Sequence, residues 1–247
     1  MPLLETDGVT VRFGGNTAVD SVDLTVEAGL VTGLIGPNGA GKTTLFNVIT
    51  GLQPPAAGRV MLNGQDVTSL PPFKRAQRGL ARTFQRLELF VSLSVRDNIR
   101  VAGDVRNAWG RGHGRINTGA EADRVIALTG LEDVADRDVA DIPTGRARVV
   151  ELARALMTGP KVLLLDEPAS GQTEQETVAF GQLLRRLAHE DGLAICLVEH
   201  DVSLVMEVCS MVHVLDYGRI LAVGPPEQIR NDRAVIDAYL GTETGAA

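Results

Sequence analysis

Two kinds of hydrophobic pattern recur along the chain. Residues 9–13 and 22–26 alternate apolar with polar positions, the period of half-buried antiparallel strands. Residues 31–35, 162–165 and 194–198 are short, nearly unbroken apolar runs, as strands buried on both faces require. Helical spacing follows each of the second kind, over residues 42–50, 174–187 and 202–208, and a further strand is predicted at 211–215. Gly51 closes the first of these helices, Pro54, Pro55 and Gly58 form a turn before a strand at 59–62, and Asn63-Gly64 turns the chain again. Between residues 87 and 154 the pattern changes to helical patches at 95–101, 121–129 and 146–157, the last running past that boundary. Strands alternating with helices predict a mostly parallel sheet covered by helices, an α/β fold. The loop from Asn107 to Gly119, with Gly110, Gly112, Gly114, Arg111, His113 and Arg115, reads as a surface connection, since no helix start is evident after it.

One loop carries chemistry on its own. Gly36-Pro37-Asn38-Gly39-Ala40-Gly41-Lys42-Thr43 fits G-x-x-x-x-G-K-S/T at every defined position, and lies between a predicted strand and a predicted helix. Glycines there let successive backbone N–H groups turn inward around phosphate oxygens, and the helix N-terminus adds its positive end. Lys42 is placed to reach the β- and γ-phosphates and the Thr43 hydroxyl to ligate Mg²⁺, with Thr44 beside it. The strand at 162–165 ends in Asp166-Glu167, at the edge where open α/β sheets bind ligands. Asp166 is expected to position Mg²⁺ and Glu167 to polarise a water. His200 ends the apolar run 194–198 after Glu199, and is expected to sense the γ-phosphate.

Composition narrows the classes. Lys and Arg number 24 against 31 Asp and Glu, a net charge of −7, which argues against general duplex nucleic-acid binding. With 44% hydrophobic residues the 247-residue chain is not disordered. Cys196 and Cys209 cannot make a disulfide framework, and both read as small buried residues of a reducing compartment. The start of the chain has no signal-peptide pattern, and nothing approaches the ~18 apolar residues of a spanning helix. Any membrane role is expected to run through partner chains.

Together these motifs resemble the ATP-binding subunit of an ABC transporter over nearly the whole chain. The resemblance implies a P-loop ABC cassette of one domain, its nucleotide core from residues 1–86 and 155–247, with an antiparallel β segment and an inserted helical subdomain at 87–154. It implies that Phe13, by itself readable as a core residue, stacks on adenine. It implies that Gln85 contacts Mg²⁺ and links the site to a transmembrane partner, that His200 is the switch histidine, and that Thr144, Gly145 and Arg146 open a signature helix facing a second subunit. ATP and Mg²⁺ are the implied ligands. A second ATPase subunit, permease subunits and, indirectly, a substrate-binding protein are the implied partners, at the inner face of the cell membrane. Phe13-Gly14-Gly15, Arg82-Thr83-Phe84-Gln85 and Ala238-Tyr239-Leu240-Gly241 are similar to branched-chain amino acid importers; urea and short-chain amide importers share much of this wording. A soluble nucleic-acid or ribosome ATPase and a regulatory subunit are the remaining alternatives.

The chain departs from the family at two places. The usual Leu-Ser-Gly-Gly-Gln is Ile142-Pro143-Thr144-Gly145-Arg146, and Thr173 stands where Asp or Asn is common. An intact phosphate side with an altered signature implies a heterodimer with unequal sites, a homodimer being the alternative.

Overall fold

The computed structural model describes residues 2–110 and 114–240. The first half runs β1 (Pro2–Phe13), β2 (Asn16–Glu27), β3 (Val31–Ile35), α1 (Lys42–Thr50), β4 (Ala57–Leu62), β5 (Gln65–Asp66), α2 (Pro72–Gln77) and β6 (Leu80–Arg82). Then come α3 (Val95–Ala108), α4 (Thr118–Thr129), α5 (Thr144–Met157), β7 (Val162–Asp166), α6 (Glu174–Asp191), β8 (Ala194–Val198) and α7 (Val202–Val208). The chain closes with β9 (Met211–Asp216), β10 (Arg219–Gly224), α8 (Pro226–Arg230) and α9 (Arg233–Leu240).

Two sheets form. Strands β2-β1-β4-β5 make an antiparallel sheet, and β10-β9-β3-β8-β7-β6 a second one, parallel except for β10. The unbroken apolar runs follow from what covers this second sheet. Val162 and Leu164 of β7, with Ala194, Cys196 and Val198 of β8, face α1 and the antiparallel sheet. Leu163, Leu165, Ile195 and Leu197 face the helices on the other side. A strand with two buried faces needs an apolar residue at every position, because successive side chains alternate faces.

Helix α1 lies between the sheets through Leu45, Phe46, Val48 and Ile49. Its last carbonyls are held by Arg75 of α2. That guanidinium is 2% exposed and donates to Val48 O at 2.6 Å, Ile49 O at 2.7 Å, Thr68 O at 2.8 Å and Leu70 O at 2.9 Å. Arg75 thus does for the helix C-terminus what solvent would otherwise do.

Helices α3, α4 and α5 pack on one another through residues such as Ile99, Ala122, Val125 and Val150. The start of α4 corrects the sequence reading. Asn117 caps it, its side chain accepting from Gly119 N at 3.1 Å and Ala120 N at 3.2 Å. Thr118 and Gly119 are poor helix formers, so the pattern hid a helix start that a capping side chain secures. Of the glycine-rich loop, Arg111, Gly112 and His113 lie outside the described residues. Both cysteines are buried, and burial pushes their thiols up, that of Cys209 to about 12.

His213 of β9 is 4% exposed, beside Leu34 of β3 and Val223 of β10, and neither ring nitrogen has a hydrogen-bond partner. Burial lowers its pKa from 6.5 to about 4. Below pH 6.5 the unfolded chain takes up a proton that the folded chain refuses until about pH 4. The stability is therefore full above 6.5 and declines on acidification, on the order of 2 kcal/mol by pH 5. Urea titrations at pH 7.5 and 5 are expected to show this loss, and His213→Leu to show correspondingly less of it.

Candidate functional site

The sequence places a helix directly after a loop rich in glycine, and the backbone explains each glycine that matters. Gly36 has φ 150°, and a Cβ there would lie 1.9 Å from Leu215 O. Gly41, the N-cap of α1, has φ 109° and comes within 2.6 Å of Ala18 O by the same construction. The loop is wrapped tightly against β2 and the end of β9, with Gly218 N donating to Ala40 O at 2.9 Å. Lys42 starts α1 and is 7% exposed. Its ammonium donates to Gly36 O at 2.6 Å and Pro37 O at 3.0 Å. Burial lowers its pKa, and the negative charges of Glu167 and Asp166 act in the opposite direction.

Across from the loop, β7 and β8 run in parallel register, Asp166 opposite Val198. That places Glu167 and His200, 33 residues apart, at the same sheet edge. Glu167 adopts φ 50°, a left-handed conformation unusual for a residue with a side chain, and its N–H donates to Val198 O at 2.9 Å. The turn aims its carboxylate at two partners. Gln85 Nε2 donates to Oε2 at 2.9 Å, and His200 Nε2 lies 2.8 Å from Oε1. Both oxygens are thereby held in place. Loop residues Asn38, Gly39, Ala40, Gly41, Lys42, Thr43 and Thr44 line one cleft of about 270 Å³ with Ala18, Gln85, Glu167 and His200.

Asp166 stands just behind that cleft and is 3% exposed. Its Oδ2 accepts from Arg82 Nη2 at 2.8 Å. Thr43, Gln85 and Asp166 supply oxygen atoms, the donor type Mg²⁺ takes. No group of three or more His, Cys, Asp or Glu side chains that could hold a metal ion by themselves is found among the described residues. A cation held by one carboxylate and substrate phosphates, the usual arrangement for Mg²⁺, fits this donor set.

Phe13 is 53% exposed at the end of β1, where the hairpin to β2 turns, so the core reading of this ring is wrong. Thr144, Gly145 and Arg146 lie elsewhere. They open α5, with Pro143 as an N-cap that has no side-chain hydrogen bond to give. Gly145 and Arg146 line a different cavity, of about 430 Å³, with Gln172 and Glu176. A Cβ on Gly145 would sit 3.0 Å from the Glu176 carboxylate, and the Arg146 guanidinium pairs with Asp133. Thr173 caps α6 in a reciprocal box with Glu176, whose carboxyl is held below its ordinary pKa by the Thr173 N–H and hydroxyl. Thr173 thus serves as an N-cap, as Asp or Asn can.

Three side chains that hold the site together went unread in the sequence. Glu199, 6% exposed, accepts from Ala169 N at 2.7 Å and His200 N at 3.1 Å, tying the turn after Glu167 to the His200 strand end. Arg148 of α5 donates to Phe84 O and Gln85 O and pairs with Glu151 at 2.9 Å, which fastens the Gln85 segment to that helix. Arg82 is the third. A charged residue flush against an apolar run was the available signal for Glu199.

Comparison with known proteins places this geometry. The family model "ABC transporter" matches residues 19–170, more than half the chain. The chain belongs to the ABC transporter family. As an ATP-binding cassette of that family it is an ATPase. A second model, "Branched-chain amino acid ATP-binding cassette transporter", matches residues 219–244 of the cassette. The cassette is 39% identical to the high-affinity branched-chain amino acid transport ATP-binding protein BraF of Pseudomonas aeruginosa, covering 97% of this chain and 98% of that one. It is 40% identical, with the same coverage, to the corresponding LivG of Escherichia coli. With the lipopolysaccharide export system ATP-binding protein LptB of E. coli the identity is 32%, over 98% and 99% of the two chains. Among solved structures, the ADP conformation of MJ1267, an ATP-binding cassette of an ABC transporter, superposes with a TM-score of 0.86 at 28% identity, covering 98% and 99% of the chains.

A groove of about 450 Å³ separates α2 and β6 from α3 and α5, lined by Phe73, Leu80, Phe84, Ala102 and Ala155 among others. Phe73 and Phe84 are exposed there. No helix among the described residues is long and apolar enough to cross a membrane.

Proposed function

We propose that the cassette is an ATP-hydrolysing subunit of an importer for branched-chain amino acids, held at the inner face of the cell membrane by separate permease subunits. The observation that carries this reading is the convergence of Lys42, Gln85, Glu167 and His200 on one cleft beside the phosphate loop. The C-terminal family match and the identity to BraF and LivG support the cargo. Exposed Phe73 and Phe84 give the permease an apolar surface to cover.

Residues 36–44 hold the triphosphate, Lys42 as a point charge on the β- and γ-phosphates. Glu167 polarises the attacking water, with Gln85 and His200 keeping its carboxylate aimed. Mg²⁺, when bound, neutralises charge building on the phosphoryl oxygens, and Thr43, Gln85 and Asp166 are the residues to hold it. Phe13 offers its exposed ring to adenine. Residues 1–86 and 155–247 act as the nucleotide core, and 87–154 as the helical subdomain.

A cleft of about 270 Å³ without Thr144, Gly145 or Arg146 supports a site completed by a second cassette. In this reading that cassette is a different chain. The α5 end that this chain would present has no serine hydroxyl, and its Arg146 is engaged by Asp133.

The test is reconstitution in vesicles with the permease subunits and a substrate-binding protein. ATP-driven uptake of leucine, isoleucine or valine is expected only when a second, different cassette is present. Uptake of urea or a short-chain amide instead would move the cargo, and full activity with this chain as the sole cassette would make the assembly a homodimer.

A further inference from the structure

We propose that Arg82 is a positioning residue for the metal-side carboxylate of the site; the proposal rests on reading Asp166 as the carboxylate that holds Mg²⁺. Arg82 ends β6, the edge strand next to β7, and its side chain is only 5% exposed. Nη2 donates to Asp166 Oδ2 at 2.8 Å and Nη1 to Asn47 Oδ1 at 2.7 Å. The guanidinium plane is further fixed by two rings, with the Phe84 centroid at 4.9 Å and the Phe46 centroid at 5.4 Å. Its Nε is buried with no partner. A buried donor left unpaired costs stability, so this orientation is set by the demands of Asp166 and Asn47 rather than by the arginine's own hydrogen bonding.

The consequence falls on Asp166. A carboxylate at a strand end is free to turn about its terminal torsion. Here Oδ2 is taken by Arg82, while no hydrogen bond among the described residues reaches Oδ1. Arg82 therefore removes the rotation and leaves one oxygen to be offered to a cation. It also ties the carboxylate, through Oδ2, to Asn47 of α1, the helix that begins with Lys42 and Thr43. A planar fork with two anchors is something lysine cannot reproduce, because its ammonium is a single flexible point charge.

Charge and position predict opposite signs, which makes the idea testable. Through charge alone, a cation beside Asp166 repels Mg²⁺, so its removal would tighten metal binding. If Arg82 positions Asp166, its loss weakens metal binding in spite of the relieved repulsion. The measurement is calorimetric ATP affinity across a Mg²⁺ series, with an EDTA arm for metal-free ATP, on the full chain. Arg82→Gln and Arg82→Lys are both expected to raise the Mg²⁺ concentration for half-maximal enhancement about 10- to 100-fold, as loss of a partner orienting a metal ligand does. Metal-free ATP affinity is expected to stay unchanged. A lowered or unaltered Mg²⁺ requirement, or a changed metal-free affinity, overturns the proposal. Asn47→Ala removes one anchor and leaves the Asp166 pair, so it keeps the test open where the Arg82 variants fail to fold. A smaller rise in the same direction is expected from it, and no rise counts against the proposal. Asp166→Asn separates the two layers. If it leaves the Mg²⁺ requirement unchanged, the reading of Asp166 is wrong; if it raises it while Arg82 and Asn47 variants do not, only the role of Arg82 fails.

Discussion

Glu167→Gln is expected to keep ATP bound while hydrolysis slows by about 10²-fold or more, the usual range for a positioned base. Both carboxylate oxygens of Glu167 are engaged, one by Gln85 at 2.9 Å and one by His200 at 2.8 Å. Glutamine has nearly the same shape, so the fold and the phosphate loop should survive. Its amide, however, presents a donor where the carboxylate presents a second acceptor, which either opposes the Gln85 amide or requires His200 Nε2 to accept rather than donate. It also has no charge with which to draw a proton from water. The left-handed turn at φ 50° adds to the expectation, because such a backbone conformation is strained for a residue with a side chain and must be maintained by its surroundings. Phosphate release under single-turnover conditions, with ATP affinity measured alongside, checks both halves. Turnover within a few-fold of the parent would remove Glu167 from the role of base.

Lys42→Ala is expected to abolish most ATP affinity. The ammonium is buried among the loop carbonyls, at 2.6 Å from Gly36 O and 3.0 Å from Pro37 O. Burial lowers its pKa, and the negative charges of Glu167 and Asp166 act in the opposite direction. Each hydrogen bond to a charged group is worth about 1.5–3 kcal/mol, and one such loss already weakens binding roughly 10- to 100-fold. The substitution also leaves the two carbonyls without their donor. Calorimetry with Mg²⁺ present decides the point. Affinity equal to the parent's would exclude this loop as the phosphate site, and a far-UV spectrum like the parent's guards against unfolding as the cause.

What could be read without coordinates is what local physics dictates. Residues 162–165 and 194–198 are apolar at every position because both strand faces are buried, and α1 is bounded by Gly41 and Gly51, both left-handed. Elements with no such signal stayed invisible. Strand β6 has three residues at a sheet edge, α2 has six, and β10 alternates too weakly to stand out. The start of α4 depends on one capping asparagine rather than on periodicity. Phe13 shows the converse: hydrophobicity at a strand end suggested burial, and the hairpin turn leaves the ring exposed.

The sequence by itself determined the phosphate loop, the acidic strand end and the alternation of strand and helix, since each is written in neighbouring residues whose backbone needs are fixed by their own side chains. Tertiary structure alone decided which distant groups meet. Gln85 reaches Glu167 across 82 residues, Arg82 reaches Asp166 across 84, and Arg148 reaches Gln85 across 63. It likewise put Gly145 and Arg146 in a cavity apart from the cleft. Those pairings follow from strand order and register, which are set by the packing of both faces of the sheet at once, and no local pattern in the chain encodes them.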